Sequence, residues 1–377
     1  MRMLSLVLLG ALAVAGAAGA DEPSPMVDWL VPAVASSQPQ TDEEKELGKS
    51  RGRALPVPEL LQPMLDPALP AYEPRGQKLT GHYVMASSDV LPGLVKAWIA
   101  AFNKYQPKVV IELPPPYAGS VGAKELVGQK IDAAFVSREL RPDDIRDFQA
   151  KFGYAPLSVP VSGGTYRHYG FLDAVGFIVN KDNPLQAISF EQLDALLSST
   201  RYRGGAAIAT WGQLGLGGDW ADKPVHVYAI KPWNGFEEFI RQKVLSVEGK
   251  RGEWRTDLSF SETVFPMAKS VADDRYGIGY TGLAYIDAGV KTLPLIDGPG
   301  APPVAPSYEN VAAARYPLSR LIYFNVNKKP GQALPPALEE FLRFVLSREG
   351  QQLIRDQAVF LPLRAEQAEA ARALLRP

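Results

Sequence analysis

The feature that most restricts the fold is an alternation of two patterns that begins at Thr80. Short runs rich in aliphatic and aromatic residues, at 82–85, 109–113 and 132–136, are separated by stretches with helical spacing. In the first such stretch, 94–105, the residues Leu94, Val95, Trp98, Ile99 and Phe102 share one face. The next two cover 123–129 and 143–152. Strand–helix–strand alternation predicts a mixed, mostly parallel sheet with helices on both faces, because each parallel connection has to cross back over the sheet. The same alternation returns later in the chain. Strands are predicted at 175–179, 225–230, 277–280 and 321–326, and helices at 190–197 and 236–245. A last long helix over 335–355 carries Leu338, Phe341, Leu342, Val345 and Leu346 on one face, with Gly350 a candidate break within it.

Two segments precede this region. Arg2, an apolar run over 3–14 and the small residues ending Ala18-Gly19-Ala20 have the form of a cleavable export signal at 1–20, too short to span a bilayer. Residues 21–79 are broken repeatedly by proline, from Pro23 to Pro74, so they predict an arm lying on the main body rather than a domain with its own core. What remains is long enough for two packed domains.

Composition removes several classes of function. The chain has no cysteine, which excludes thiol catalysis and disulfides and suits an oxidising compartment. With 40 Lys+Arg against 41 Asp+Glu there is no bulk positive field for nucleic acid or an anionic membrane. The three histidines, His82, His168 and His226, show no zinc-ligand spacing, and neither a G-x-S-x-G elbow nor a phosphate-binding G-x-x-x-x-G-K-[ST] loop occurs. No enzyme, metal or cofactor is predicted.

Three loops that precede helices carry the chemistry instead: Ser87-Ser88-Asp89, the loop containing Gly119-Ser120, and Trp233-Asn234-Gly235. A helix start presents unpaired N–H groups and a partial positive charge, and serine adds a hydroxyl donor, so such loops can cradle an anion. The same residue types also serve as ordinary helix caps. Ser137-Arg138 ends the strand at 132–136, where ligands of open α/β sheets bind. Arg138 there suits either an anion or a neighbouring carboxylate such as Glu139 or Asp143.

Taken in order, several blocks resemble the substrate-binding proteins of phosphate ABC transporters, the PstS-like group. They are Ser87-Ser88-Asp89-Val90-Leu91 with Trp98 and Phe102, Ser137-Arg138-Glu139-Leu140, and Asn180-Lys181-Asp182-Asn183-Pro184. Thr210-Trp211-Gly212-Gln213-Leu214-Gly215, Ile278-Gly279-Tyr280, Tyr316-Pro317-Leu318-Ser319-Arg320 and the block 344–351 complete the match. The resemblance implies a type II periplasmic-binding-protein fold: two α/β lobes, here 80–170 with 271–377 and 171–270, joined by a hinge. It also implies a monomer that grips a small oxyanion, phosphate or a relative, in the cleft and delivers it to a membrane ABC permease. The ligand would meet Ser87, Ser88, Asp89, Gly119, Ser120, Ser137, Arg138, Asn234 and Gly235.

This chain departs from the family pattern in its third loop. Asn234-Gly235-Phe236 stands where relatives carry Ser-Gly-Thr, and Ile230-Lys231 stands where they carry an arginine. A phenyl ring in place of a hydroxyl removes side-chain donors but leaves the backbone N–H groups. Alternatives that follow are an interaction or assembly protein on a receptor fold, or a receptor for a partly apolar ligand touching Trp233 or Phe236. Trp211 and Trp220 are predicted to be core, and Lys231 to be a solvated lysine.

Overall fold

A computed structural model describes residues 63–377, apart from 77, 168–171, 233–234, 287–288 and 358. The export signal at 1–20, most of the proline-rich arm, His168, Trp233 and Asn234 lie outside the described residues.

The first sheet begins with β1 (Gly81–Ser87), β2 (Val109–Glu112), β3 (Ala133–Val136) and β4 (Leu157–Gly163), and is completed late in the chain by β12 (Leu321–Val326). Its order is β2-β1-β3-β12-β4. The second sheet takes β5 (Val175–Asn180), β7 (His226–Ile230), β8 (Ser259–Ser261), β9 (Gly277–Gly282) and β10 (Val290–Thr292), in the order β10-β5-β9-β7-β8. A short pair, β6 (Ile188–Ser189) with β11 (Leu295–Ile296), flanks it. Each five-stranded sheet is mixed. β1 pairs in parallel with β2 and β3, and β7 with β8 and β9, whereas β12 and β5 run antiparallel to both of their neighbours. The antiparallel strands are those that enter a sheet directly from the other one, so they need no helical crossover.

Sheet membership corrects the division expected at residue 271. β9 is the middle strand of the second sheet and β10 its edge, so the chain stays with that sheet well past 271. It returns only through Tyr316–Arg320 into β12. The two crossings, 163–175 and 316–321, are knitted by backbone bonds: Gly164 N donates to Arg320 O at 2.7 Å and Val175 N to Leu318 O at 3.1 Å. The Tyr316 hydroxyl adds a bond to Val175 O at 2.9 Å.

Helices cover the sheets as the periodicity requires. On the first sheet lie α1 (Pro92–Phe102), α2 (Gly119–Gly128) and α3 (Pro142–Phe152). α1 buries Leu94, Val95, Trp98 and Phe102, the face read from sequence, and stops at Phe102 with Asn103 as its cap. On the second lie α4 (Phe190–Leu197), α5 (Gly235–Ile240), a π-turn at Arg241–Leu245, α6 (Met267–Asp273) and the short α7 (Tyr308–Ala312). The predicted helix over 335–355 is instead two, α8 (Pro336–Val345) and α9 (Arg348–Gln357), followed by α10 (Ala365–Ala373). The break falls at Leu346-Ser347, not at Gly350. Ser347 Oγ receives the Gly350 N–H at 3.3 Å and starts the new helix. Gly350 itself is required by packing, since a Cβ there would lie 2.3 Å from Phe344 O and 2.4 Å from Val345 O. That close approach lets Trp98 Nε1 donate to Gly350 O at 2.8 Å.

The described part of the arm packs on the first lobe. Leu69 and Tyr72 are buried in its core, and Tyr72 donates to Glu340 at 2.8 Å. Trp211 and Trp220 are buried in the core of the second lobe, meeting edge to face.

Candidate functional site

The carboxyl ends of β1 and β3 come together at the edge of the first lobe. Ser88 N donates to Phe135 O at 2.9 Å, and Ser88 Oγ accepts the Ser137 N–H at 3.1 Å, so the two predicted serine loops are tied by one hydroxyl. Ser88 is thereby explained structurally as well as being placed at the lip. Ser87 is buried at the end of β1, and its Oγ has no hydrogen-bond partner. Asp89, next in the loop, is exposed.

α2 begins against the same edge. A Cβ on Gly119 would lie 2.4 Å from Ser88 Oγ, so only glycine lets the helix start approach the serine loop. Val121 and Gly122 N–H both return to Ala118 O, which sets the first turn of α2 against the serine loop. Ala118 supplies no side-chain cap.

Arg138 is largely buried but already engaged. Its guanidinium donates to Glu139 O at 2.7 Å and to Asp144 Oδ2 at 3.3 and 3.4 Å. Burial lowers its pKa, and the charge of Asp144 opposes that fall. Of the carboxylates considered from sequence neither Glu139 nor Asp143 is the partner; Asp144, one helical position further on, takes the fork.

The second lobe meets this lip through α5 and the π-turn. Lys243 Nζ reaches Glu139 Oε1 at 2.5 Å, and Tyr323 Oη donates to the same oxygen at 3.0 Å. Burial raises the Glu139 pKa, but Lys243, helped by a backbone N–H and the Tyr323 hydroxyl, offsets this, and the carboxyl sits below its usual range. Glu238 faces Arg251 in a two-pronged ion pair at 2.8 Å, and the charge of Arg141 from the first lobe acts on it too. Gly235 is exposed at the start of α5. Phe236 packs edge to face on Tyr285 instead of standing free in the loop. Lys231 pairs with Glu262 on the surface, so it does not supply the missing cation.

A second cation packs against α5. The Arg320 guanidinium lies 4.5 Å from the Phe239 ring centroid and 5.8 Å from that of Phe236. Its Nε is buried without a hydrogen-bond partner. Burial lowers its pKa, Asp173 and Glu139 oppose the fall, and Arg138 adds to it, so all three charges lie within electrostatic reach. In the sequence Arg320 stands out only within Tyr316-Pro317-Leu318-Ser319-Arg320; its place next to a predicted strand and beside Ser319 is the signal it carries. Arg167, Asp173, Glu139, Lys243 and Phe239 were also not among the predicted site residues. Among the described residues no group of His, Asp and Glu is arranged to hold a metal ion, and no helix is long and apolar enough to cross a membrane.

Comparison with known proteins agrees with this architecture. Residues 74–349 match the model of a PBP superfamily domain. The chain is 33% identical over 308 residues to the phosphate-binding protein PstS of Pseudomonas aeruginosa, covering 81% of this chain and 90% of that protein. It is 26% identical to the protein SphX of Synechocystis, over 70% of this chain and 73% of the other. Among solved structures, PstS from Borrelia burgdorferi covers 75% of this chain and 98% of its own at 18% identity, with a TM-score of 0.52, which is a likeness of fold. The chain belongs to the PBP superfamily and, within it, to the family of the phosphate-binding protein PstS.

Proposed function

We propose that this protein is an exported receptor that closes two lobes over a small oxyanion, phosphate or a close relative, and presents it to a membrane ABC permease. The observation that carries the reading is the convergence at one cleft edge of Ser87, Ser88, the first turn of α2 and Arg138, facing α5 of the other lobe. Donors of this kind, preorganised and partly desolvated, bind an anion more strongly than they would in water. The name of the P. aeruginosa relative supports the choice of ligand. The export signal read at 1–20 supports a periplasmic location, and the permease follows from the family.

The replacement of Ser-Gly-Thr by Asn234-Gly235-Phe236, with the Phe236 ring packed on Tyr285, favours one competing reading. In that reading the fold has lost its ligand and serves as an interaction or assembly protein. A thermal-unfolding scan of ligand-stripped protein with inorganic phosphate, sulfate and a phosphonate separates the two. Ligand at about a hundred times its Kd adds roughly 2.7 kcal/mol, a shift of several degrees. A phosphate-dependent rise supports the receptor; no rise with any oxyanion sinks it in favour of the interaction role.

A further inference from the structure

The third loop lacks both its expected arginine and its hydroxyls, yet the two hinge crossings carry polar side chains with unpaired buried atoms. Thr165 Oγ1 and Arg167 Nε lie on the first crossing, and Ser319 Oγ and Arg320 Nε on the second; none of the four atoms has a hydrogen-bond partner. The crossings are in direct contact: Gly164 N bonds Arg320 O, and a Cβ on Gly164 would lie 2.6 Å from Arg320 Cβ. Leaving a buried polar atom unpaired costs about 1–3 kcal/mol, so several of them on two touching crossings call for a partner.

Arg320 is the member best built for one. It forms no ion pair among the described residues, unlike Arg138, whose fork is taken by Asp144. Its contacts are with the rings of Phe236 and Phe239. A guanidinium donates in its own plane, and a ring meets its face without using any donor. The rings beneath the guanidinium carbon use none of its N–H groups and help to desolvate it, so its donors stay available for two oxygens of a tetrahedral anion. Phe236 then has a positive role at the position where relatives carry a hydroxyl: it positions a cation supplied from elsewhere.

We infer that the anion-binding arginine of this protein is Arg320, delivered by the second hinge crossing, with Phe236 and Phe239 as positioning residues, and that the ligand is an oxyanion offering two oxygens to one guanidinium. This rests on the oxyanion-receptor reading above. It places the cation on the segment that bends when the lobes move, so binding and closure act on the same residues.

The test is titration calorimetry of the full mature chain with inorganic phosphate, for wild type, Arg320→Gln, Arg320→Lys, Arg138→Gln, Phe236→Leu and Phe236→Leu/Arg320→Gln. Loss of a two-pronged charge-assisted contact predicts at least about thirtyfold weaker binding in Arg320→Gln. Arg320→Lys keeps the charge but not the fork and should fall several-fold short of wild type. It also serves if Arg320→Gln proves unstable. Arg138→Gln should weaken binding less than Arg320→Gln. Phe236→Leu should weaken binding in the wild-type background and have no further effect once Arg320 is Gln, which a merely structural ring would not do. Wild-type binding that persists within twofold in both Arg320 variants overturns the inference and leaves the receptor reading standing. An Arg138 effect larger than that of Arg320 also overturns it. Absence of phosphate binding by wild type sinks the receptor reading itself, and the assignment of Arg320 with it.

Discussion

The buried ion pair that holds the site helix gives the sharpest stability prediction. Glu237 is fully buried on α5, and Arg241, 7% exposed at the start of the π-turn, donates to it at 2.7 Å. Trp254 Nε1 donates to the same carboxylate oxygen at 2.6 Å, and Arg241 also reaches Glu253 at 2.9 Å. Replacing Arg241 by Met preserves much of the volume but leaves the Glu237 carboxylate without its cation in a low-dielectric site. Removing one partner of such a pair costs about 3–5 kcal/mol. With a urea dependence of about 1–3 kcal/mol/M, the unfolding midpoint should fall by at least about 1 M. The double variant Glu237→Gln/Arg241→Met removes the stranded charge while keeping an acceptor for Trp254. It should therefore be more stable than Arg241→Met alone, by more than about 1 kcal/mol. Urea denaturation followed by tryptophan fluorescence reads both values, since Trp254 lies beside the pair. Arg146→Met on the exposed face of α3 is the control and should leave the midpoint unchanged. An Arg241→Met loss below about 1 kcal/mol, or a double variant less stable than the single one, would refute the claim that a desolvated charge pair anchors α5.

Three further outcomes follow from the geometry. Gly350→Ala drives a methyl into Phe344 O and Val345 O and disturbs the Trp98 bond, so it should cost about 2–3 kcal/mol, read as a fall in Tm; an unchanged Tm would show that the α8–α9 junction yields. The depressed pKa of Glu139 contributes stability that is complete above its unfolded value, near 4.5, and is lost as pH falls through the lower folded value. The stability difference between wild type and Glu139→Gln should therefore be constant near neutral pH and vanish in strong acid, and a difference that grows on acidification would contradict the Lys243 pairing. Asp66 accepts N–H bonds from Ala365 at 2.9 Å and Ala68 at 2.9 Å, which lower its pKa. Asp66→Asn should loosen the arm from the start of α10, seen as faster amide exchange over 63–75 with the rest of the chain unaffected; uniform exchange would show that the arm is held elsewhere.

What the chain fixes locally is legible in its sequence. The apolar spacing of α1, the whole of α4 and the strand at 321–326 follow from side-chain periodicity, which depends only on neighbours a few residues apart. β4 escaped notice because Pro160 interrupts its pattern; proline is tolerated there because β4 is an edge strand. Ser88 and Gly119 are legible because loops before helices have a compositional signature, Ser137 because it ends a predicted strand, and the structure brings the three together.

Sheet membership and charge burial have no such local signature. That β9 joins β5 and β7, rather than the strands of the first lobe, is decided by backbone pairing between distant segments, as in Val179 with Ile278 and His226 with Gly277. The standing of each cation was decided the same way. Arg138 lies six residues from Asp144 and is satisfied by it, whereas Arg320 acquires its ring contacts only when α5, more than eighty residues earlier, is laid over the second crossing. Sequence by itself determined an α/β fold of two sheets with serine- and glycine-bearing loops at its strand ends. Only the tertiary structure decided that Arg138 is paired while Arg320 keeps an unpaired donor, because desolvation and pairing are properties of a neighbourhood that distant segments build.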